Sequence, residues 1–134
     1  MATYPLSEAY ADGQVLTAAN VNSITEGVND IAFVVTNAQT ASYTLVLTDV
    51  AKVVTMSVAT GNNLTVPPNS SVAFPTGSVI TIAQIGAGQT TLVAGSGVTI
   101  SSNGSKLKLN GQYAVATLIK TGTDSWLAFG NLAT

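Results

Sequence analysis

The sequence predicts a mainly β protein: a compact β-sandwich or jelly-roll-like domain, preceded by an extended arm and one short helix. Three observations lead to this prediction. From residue 41 onward, short segments rich in β-branched residues alternate with turn residues. Only one segment, residues 17–36, carries apolar residues at helical spacing. The first 16 residues follow neither pattern, so we divide the chain into residues 1–40, the arm and helix, and residues 41–134, the β domain.

The predicted strands of the β domain are short, closely spaced and separated by Gly, Pro and Asn. Asn-Gly pairs at Asn103 and Asn110 predict tight hairpins, because a type I′ turn needs positive φ at both central residues. Many short strands separated by such turns are typical of a sandwich or jelly roll. The predicted strands cover residues 43–48, 52–57, 63–66, 78–84, 90–94, 98–101, 106–109, 114–120 and 125–129.

The predicted helix, residues 17–36, has Thr17 as a candidate N-cap and a narrow apolar stripe. The stripe consists of Val21, Ile24, Val28 and Ile31, spaced three, four and three residues apart. Ile-rich stripes of this spacing favour assemblies of more than two helices, with the stripe at the axis of the assembly. The alternative is a helix that lies on its own β domain. In either case the helix is too short to persist alone in water.

The arm carries Tyr4, Pro5 and Tyr10 in an otherwise polar segment. Aromatic side chains often anchor protein–protein contacts. We therefore expect the arm to attach the protein to a partner, with ordinary packing of the two tyrosines as the alternative.

Charged residues are unusually rare, at 7% of the chain against roughly 25% in an average soluble domain. The net charge is −2 and there is no arginine. Phosphate binding needs several basic residues on one face, so we expect no nucleic-acid partner. Runs of apolar residues fall short of a membrane span, so we expect no membrane insertion. Because few charges remain to keep copies apart, the composition favours a surface that faces another copy of the chain.

The residues that usually carry catalysis are scarce, and we expect no enzyme, cofactor or metal site. Without His or Cys, the Ser-His-Asp and Cys-His arrangements and thiolate or imidazole zinc sites are excluded. Asp49 and Asp124, the carboxylates of the β region, could pair for glycoside hydrolysis but are better explained as turn residues. The glycine-rich segment 86–91 lacks the ending of a phosphate loop, and a β-hairpin turn explains it.

The last predicted strand has a clear two-sided pattern. Alternation places Trp126 and Ala128 on one side, and Leu127 and Phe129 on the other. One side must be core. The other is an interface, a ligand face or a covered surface, and Trp126 with Tyr113 and Phe129 could form an aromatic face that binds sugar.

Residues 43–132 resemble a β domain common at the C-termini of bacteriophage tail-fibre and related virion proteins. The resemblance is carried by YTLVLTDVAKVVTM, by NNLTVPPNSSVAFPTGSVITIAQIGAGQTTLVAGSGVTI and by KLKLNGQYAVATLIKTGTDSWLAFGNL. LTAANVNSI, at residues 16–24, resembles the helical connector that precedes such domains. The resemblance implies a homotrimer located in the virion, with a structural or host-contact role and no catalytic residues. Because the chain has no long shaft, it favours a short fibre or a decoration protein on the capsid or tail.

Three functions thus follow as hypotheses. The first is a structural virion appendage whose partners are its own copies, capsid or tail proteins, and a host surface glycan. The second is a stand-alone carbohydrate-binding, lectin-like module. The third, an enzyme, has the least support.

Overall fold

The structure is a computed structural model, and it describes residues 33–134, which fold into two β-sheets. The mainly β, two-sheet architecture confirms the predicted fold class. The six-stranded sheet has the order β1-β3-β5-β9-β10-β7, and the five-stranded sheet has the order β11-β8-β6-β4-β2. The strands are β1 (Thr36–Gln39), β2 (Tyr43–Thr44), β3 (Val53–Met56), β4 (Asn62–Val66), β5 (Val79–Gln84), β6 (Thr90–Ala94), β7 (Thr99–Ser102), β8 (Lys108–Leu109), β9 (Val115–Gly122), β10 (Ser125–Gly130) and β11 (Leu132–Ala133).

The first six strands alternate between the sheets and form three stacked coils: β1 with β2, β3 with β4, and β5 with β6. Within each sheet, strands of successive coils are parallel and in register. Thr36 lies beside Val53, and Val53 beside Thr81, on one side. On the other side Tyr43 lies beside Leu64, and Leu64 beside Leu92. This stacking of two-strand coils is the geometry of a solenoid, in which each repeat contacts its neighbours.

The connections within these coils are arches between the two sheets, which corrects one prediction. The sequence predicts a hairpin turn for segment 86–91, but this segment joins β5 of one sheet to β6 of the other. The same correction applies to Asn103 and Asn110, which lie between strands of different sheets. A two-residue turn can only join antiparallel neighbours. In this fold the glycines of these segments instead allow the chain to pass from one sheet to the other.

Successive arches are in close backbone contact. The N–H groups of Gly86 and Gly88 donate to the carbonyl oxygens of Met56 and Val58, at 3.0 and 2.9 Å. A Cβ atom on Gly88 would lie 1.9 Å from the carbonyl oxygen of Thr60, so only glycine fits there. The arch β5–β6 therefore rests directly on the arch β3–β4.

Three buried polar side chains, Asn62, Gln84 and Thr90, hold these arches together. The hydroxyl of Thr90 donates to Oδ1 of Asn62 at 2.7 Å, and the backbone N–H of Thr90 donates to Oε1 of Gln84 at 3.1 Å. Nδ2 of Asn62 donates to the carbonyl oxygens of Thr60 and Gly88. Buried polar groups that are bonded in this way specify one arrangement of the chain, because an unpaired group would be costly.

The C-terminal strands close the stack with antiparallel pairing. β9 pairs with β5 on one side and with β10 on the other, and β10 also pairs in parallel with β7. The turn between β9 and β10 is a true hairpin, with Asp124 at a φ of 56°. Aspartate tolerates this left-handed conformation better than most side chains. The second sheet closes with β8 and β11, which are antiparallel.

The core lies between the sheets and is built by alternation along each strand. β9 shows the pattern: Ala116, Leu118 and Lys120 are buried, and the residues between them are more exposed. The largest fully buried apolar side chains are Leu45, Val54, Met56, Leu64, Val66, Ile80, Ile82, Leu92, Leu109 and Leu118.

The predicted strands agree with the structure within a residue or two, except at the two ends of the domain, near residue 47 and in the strand predicted for residues 106–109, of which only Lys108–Leu109 is a strand. β1 and β11 lie outside the predicted strands. The end of the predicted helix, residues 33–36, is not helical, and the compact unit begins at Val34. β1 therefore lies before the predicted boundary at residue 40. The predicted strand 43–48 is shorter, because a 3-10 turn begins at Leu47 and Asp49 caps it through the N–H of Val46 at 2.8 Å.

Candidate interaction face

The last long strand, β10, has one buried and one exposed side. Trp126 and Ala128 are 2% and 1% exposed, whereas Leu127 and Phe129 are 42% and 49% exposed. The alternation predicted from the sequence is therefore confirmed. Trp126 packs edge-on against Phe74 in the core, with ring centroids 5.4 Å apart. A sugar-binding face that includes Trp126 is thus excluded, and the exposed side of β10 becomes the feature to explain.

The exposed side of β10 continues across β9 and β5 as an uncharged surface. The strand register places Leu127 beside Ile119, and Ile119 beside Val79. The next row contains Phe129, Thr117 and Thr81. We call this surface the outer face, and its apolar members are Val53, Val79, Val115, Ile119, Leu127 and Phe129.

The opposite surface of the domain differs in composition. The outward positions of the five-stranded sheet are mostly polar, with Thr44 and Asn63 exposed and Lys108 at the far side. A sheet that faces water usually carries such polar residues. The two sheets therefore differ: one presents polar groups and the other presents branched aliphatic side chains and a phenylalanine.

Burial of the exposed apolar side chains of the outer face would be favourable. Val79 and Val115 are 40% and 45% exposed, similar to the values for Leu127 and Phe129. Full burial of a side chain of this size is worth about 1.5–3 kcal/mol. The row of Leu127, Ile119 and Val79 is contiguous across the three strands, and contiguous apolar patches on a protein surface mark interaction sites. The outer face is thus the strongest candidate for protein–protein contact among the described residues.

Two further features lie next to the outer face. Tyr113 precedes β9, is 72% exposed and has a φ of 68°, a strained conformation that often occurs at functional positions. A pocket of about 320 Å³ lies at the β10 end, beside Leu127 and Phe129. Asn103 and Lys106 supply polar groups to its lining. A small ligand could therefore meet an aromatic ring, an amide and an ammonium group there.

Asp49 and Asp124 are both bound to backbone N–H groups, as expected for turn residues. Asp49 is buried and accepts from the N–H of Val46, and Asp124 accepts from the N–H of Asn69 at 2.6 Å. Their hydrogen-bond partners are different, so the structure gives no sign of a carboxylate pair. Within residues 33–134 no group of three or more His, Cys, Asp or Glu residues could hold a metal ion.

A partly buried polar cluster in the first coil surrounds the buried Asp49. The hydroxyl of Tyr43 donates to Oδ2 of Asp49 at 2.8 Å, and Nδ2 of Asn37 donates to Oδ1 at 2.8 Å. Burial raises the pKa of the Tyr43 phenol above its usual value, and the hydrogen bond to Asp49 raises this pKa further. Asn37 and Tyr43 thus connect β1 and β2 through one carboxylate.

The residues predicted to form the trimer axis and the attachment arm lie outside the described residues. They are Val21, Ile24, Val28 and Ile31, and Tyr4, Pro5 and Tyr10. The sequence predicts that Leu127 and Phe129 share one side of β10, but it does not predict that this face extends across β9 and β5. The alternation of Val79, Thr81 and Ala83 indicates a one-sided strand. It does not indicate that this strand pairs with β9.

Comparisons of the chain with protein-family models, with curated proteins and with solved structures give no match. In the part of the chain that the structure describes, no helix has the length and apolar character needed to cross a membrane.

Proposed function

We propose that the protein is a structural component of a bacteriophage particle, a short fibre or decoration protein on the capsid or tail, and that its copies associate as a trimer. The observation that carries the self-association of the copies is the outer face, whose strands have no charged outward residue and which opposes a polar face on the other sheet. Lys106 lies beside the pocket at the β10 edge of the face, and across the three strands no like charges oppose the approach of two copies. The occupant of the face is therefore a second copy of the chain.

Composition supports self-association independently of the outer face. Only 7% of the residues are charged, and charges are the usual means of keeping soluble domains apart. The predicted helix stripe, Val21, Ile24, Val28 and Ile31, is the second proposed contact between copies, at the proposed threefold axis. The resemblance of residues 43–132 to tail-fibre β domains supplies the assignment to a virion and the role at the host surface.

Charge introduced into the outer face tests the proposed interface. The double variant Leu127→Asp and Phe129→Asp places two carboxylates per copy in the contact, where an unpaired buried charge is costly. A matched control, Thr44→Asp and Asn63→Asp, places two carboxylates at exposed positions of the other sheet. Light scattering at micromolar concentration should give a lower mass for the first variant and the parent mass for the control. If both variants keep the parent mass, the outer face is not the interface.

A lectin-like module is the second candidate, and the pocket beside Phe129 favours it. Sugar rings stack on aromatic side chains, and Asn103 and Lys106 could donate to hydroxyl groups. A glycan array separates the two: sub-millimolar binding of a defined sugar that is lost in Phe129→Ser would favour the lectin. Absence of binding by the soluble parent would favour the structural role.

A further inference from the structure

Lys120 is a buried cation whose hydrogen-bond acceptors are both neutral. It occupies an inward position of β9 and is 3% exposed. Its Nζ donates to Oδ1 of Asn69 at 2.6 Å and to the carbonyl oxygen of Phe74 at 2.7 Å. An ammonium group that is removed from water and bonded to neutral oxygens is costly to maintain. The cost suggests that this lysine has a role beyond packing.

The backbone around Asn69 is held in place from two directions. The backbone N–H of Asn69 donates to Oδ1 of Asp124 at 2.6 Å, which ties the loop after β4 to the β9–β10 hairpin. The same loop is closed by the N–H groups of Ser71 and Val72, which donate to the carbonyl oxygen of Pro68. The loop is therefore fixed where it meets Lys120.

The contact between Lys120 and Asn69 lies next to the aromatic part of the core. Trp126 is the cross-strand neighbour of Lys120, and Phe74 packs edge-on against Trp126. Phe74 and Trp126 are 3% and 2% exposed. Lys120 is thereby shielded from water, whereas Asn69 is half-buried, so attack by the lysine depends on its fixed position beside the carboxamide.

We propose that Lys120 and Asn69 form an intramolecular isopeptide bond. Nζ is hydrogen-bonded to the oxygen that Cγ of Asn69 carries, so the nucleophilic nitrogen lies beside the electrophilic carbon. Lysine amines act as nucleophiles when they are desolvated and positioned. Fixed geometry converts a slow bimolecular reaction into an effectively unimolecular one. Asp124 is a positioning residue, since it holds the backbone of Asn69.

The reaction balances without any other reactant. The Lys120 ammonium loses a proton, and the nitrogen lone pair attacks Cγ of Asn69. The attacking nitrogen then passes one of its two remaining protons to Nδ2, the bond between Cγ and Nδ2 breaks, and Nδ2 leaves as ammonia, which takes up the first proton as ammonium. The products are a secondary amide and ammonium, with no change of oxidation state. The buried positive charge is thereby removed from the core.

The bond would connect residues 51 positions apart in the sequence. It would join the loop between β4 and β5 to β9, a central strand of the six-stranded sheet. A covalent bridge over a long loop restricts the unfolded chain, as a disulfide does. The chain has no cysteine, so an isopeptide bond would supply the covalent cross-link that a disulfide cannot.

The deciding experiment is the intact mass of the purified parent chain. We expect a mass lower than that of the sequence by one ammonia, and a protease digest with one branched peptide that joins Asn69 to Lys120. The Lys120→Arg and Asn69→Ala variants should show no loss of ammonia. The Asn63→Ala control, at an exposed position on β4, should keep the loss and the branched peptide.

Two outcomes would overturn the inference. The first is a parent chain with the full sequence mass after folding is complete. The second is loss of ammonia without a branched peptide, which would indicate a cyclic imide at Asn103 or Asn110, each followed by glycine. Because both outcomes are measured on the parent chain, the test does not depend on whether a variant folds.

Discussion

The stacked arches make a sharp prediction for Gly88→Ala. The new Cβ atom would lie 1.9, 2.2 and 2.7 Å from the carbonyl oxygen, carbonyl carbon and amide nitrogen of Thr60. These are backbone atoms of the neighbouring arch, so they cannot rotate away as a flexible side chain would. The two arches must separate, which costs packing and hydrogen bonds together.

The magnitude follows from the contacts that would be lost. Separation breaks the bond from the N–H of Gly88 to Val58, at 2.9 Å, and the bond from Asn62 to the carbonyl oxygen of Gly88, at 3.2 Å. Each is worth about 1 kcal/mol. Overpacking adds about 1–3 kcal/mol. We therefore expect a loss of about 3–5 kcal/mol in the free energy of unfolding, a large part of the roughly 5–15 kcal/mol of a typical domain.

Gly61→Ala is the matched control, because Gly61 lies in the neighbouring arch, has no positive φ, and has no atom within 4 Å of the position that a Cβ would take. Restricting the unfolded chain should make this variant neutral or more stable, by up to about 1 kcal/mol. Urea unfolding at equal protein concentration, followed by the fluorescence of Trp126, measures both. If Gly88→Ala is as stable as Gly61→Ala, the arches do not pack as described.

Two further predictions concern the first coil and the N-terminal region. Because the folded state raises the pKa of Tyr43, the neutral phenol stabilises the fold below pH 10.0, and this contribution is lost as the pH rises through the folded pKa. Urea unfolding between about pH 9 and about pH 11 should therefore show a smaller alkaline loss in Tyr43→Phe, whereas an unchanged profile would refute the linkage. Deletion of residues 1–33 keeps β1 intact and should leave a β-rich protein. When it is added to particles that lack the native protein, it should not sediment with them. If it binds the particles as well as the full chain does, the attachment surface lies in the β domain.

Strand positions could be predicted from the sequence because alternation is a local property. Residues 90–94 form β6 as predicted, and Trp126 and Leu127 lie on the expected sides of β10. β1 was missed because Thr36–Gln39 has no apolar alternation, and the segment is a strand because it extends the stack beside β3.

Strand pairing could not be predicted, because a glycine-rich turn is compatible both with a hairpin within one sheet and with an arch between two sheets. Gly86 and Gly88 indicate the turn but not its partner, which is the backbone of the preceding arch. The contact between Lys120 and Asn69 could not be predicted for the same reason. Alternation places Lys120 on the inward side of β9, but the approach of Asn69 depends on a loop distant in sequence.

The solution mass of the full chain tests the central claim, self-association of a structural protein, most directly. Light scattering on the purified chain at micromolar concentration should give three times the 13.5 kDa chain mass. The mass should fall toward that of one chain when Leu127 and Phe129 are both replaced by aspartate. A stable species of 13.5 kDa in the parent protein would contradict the account.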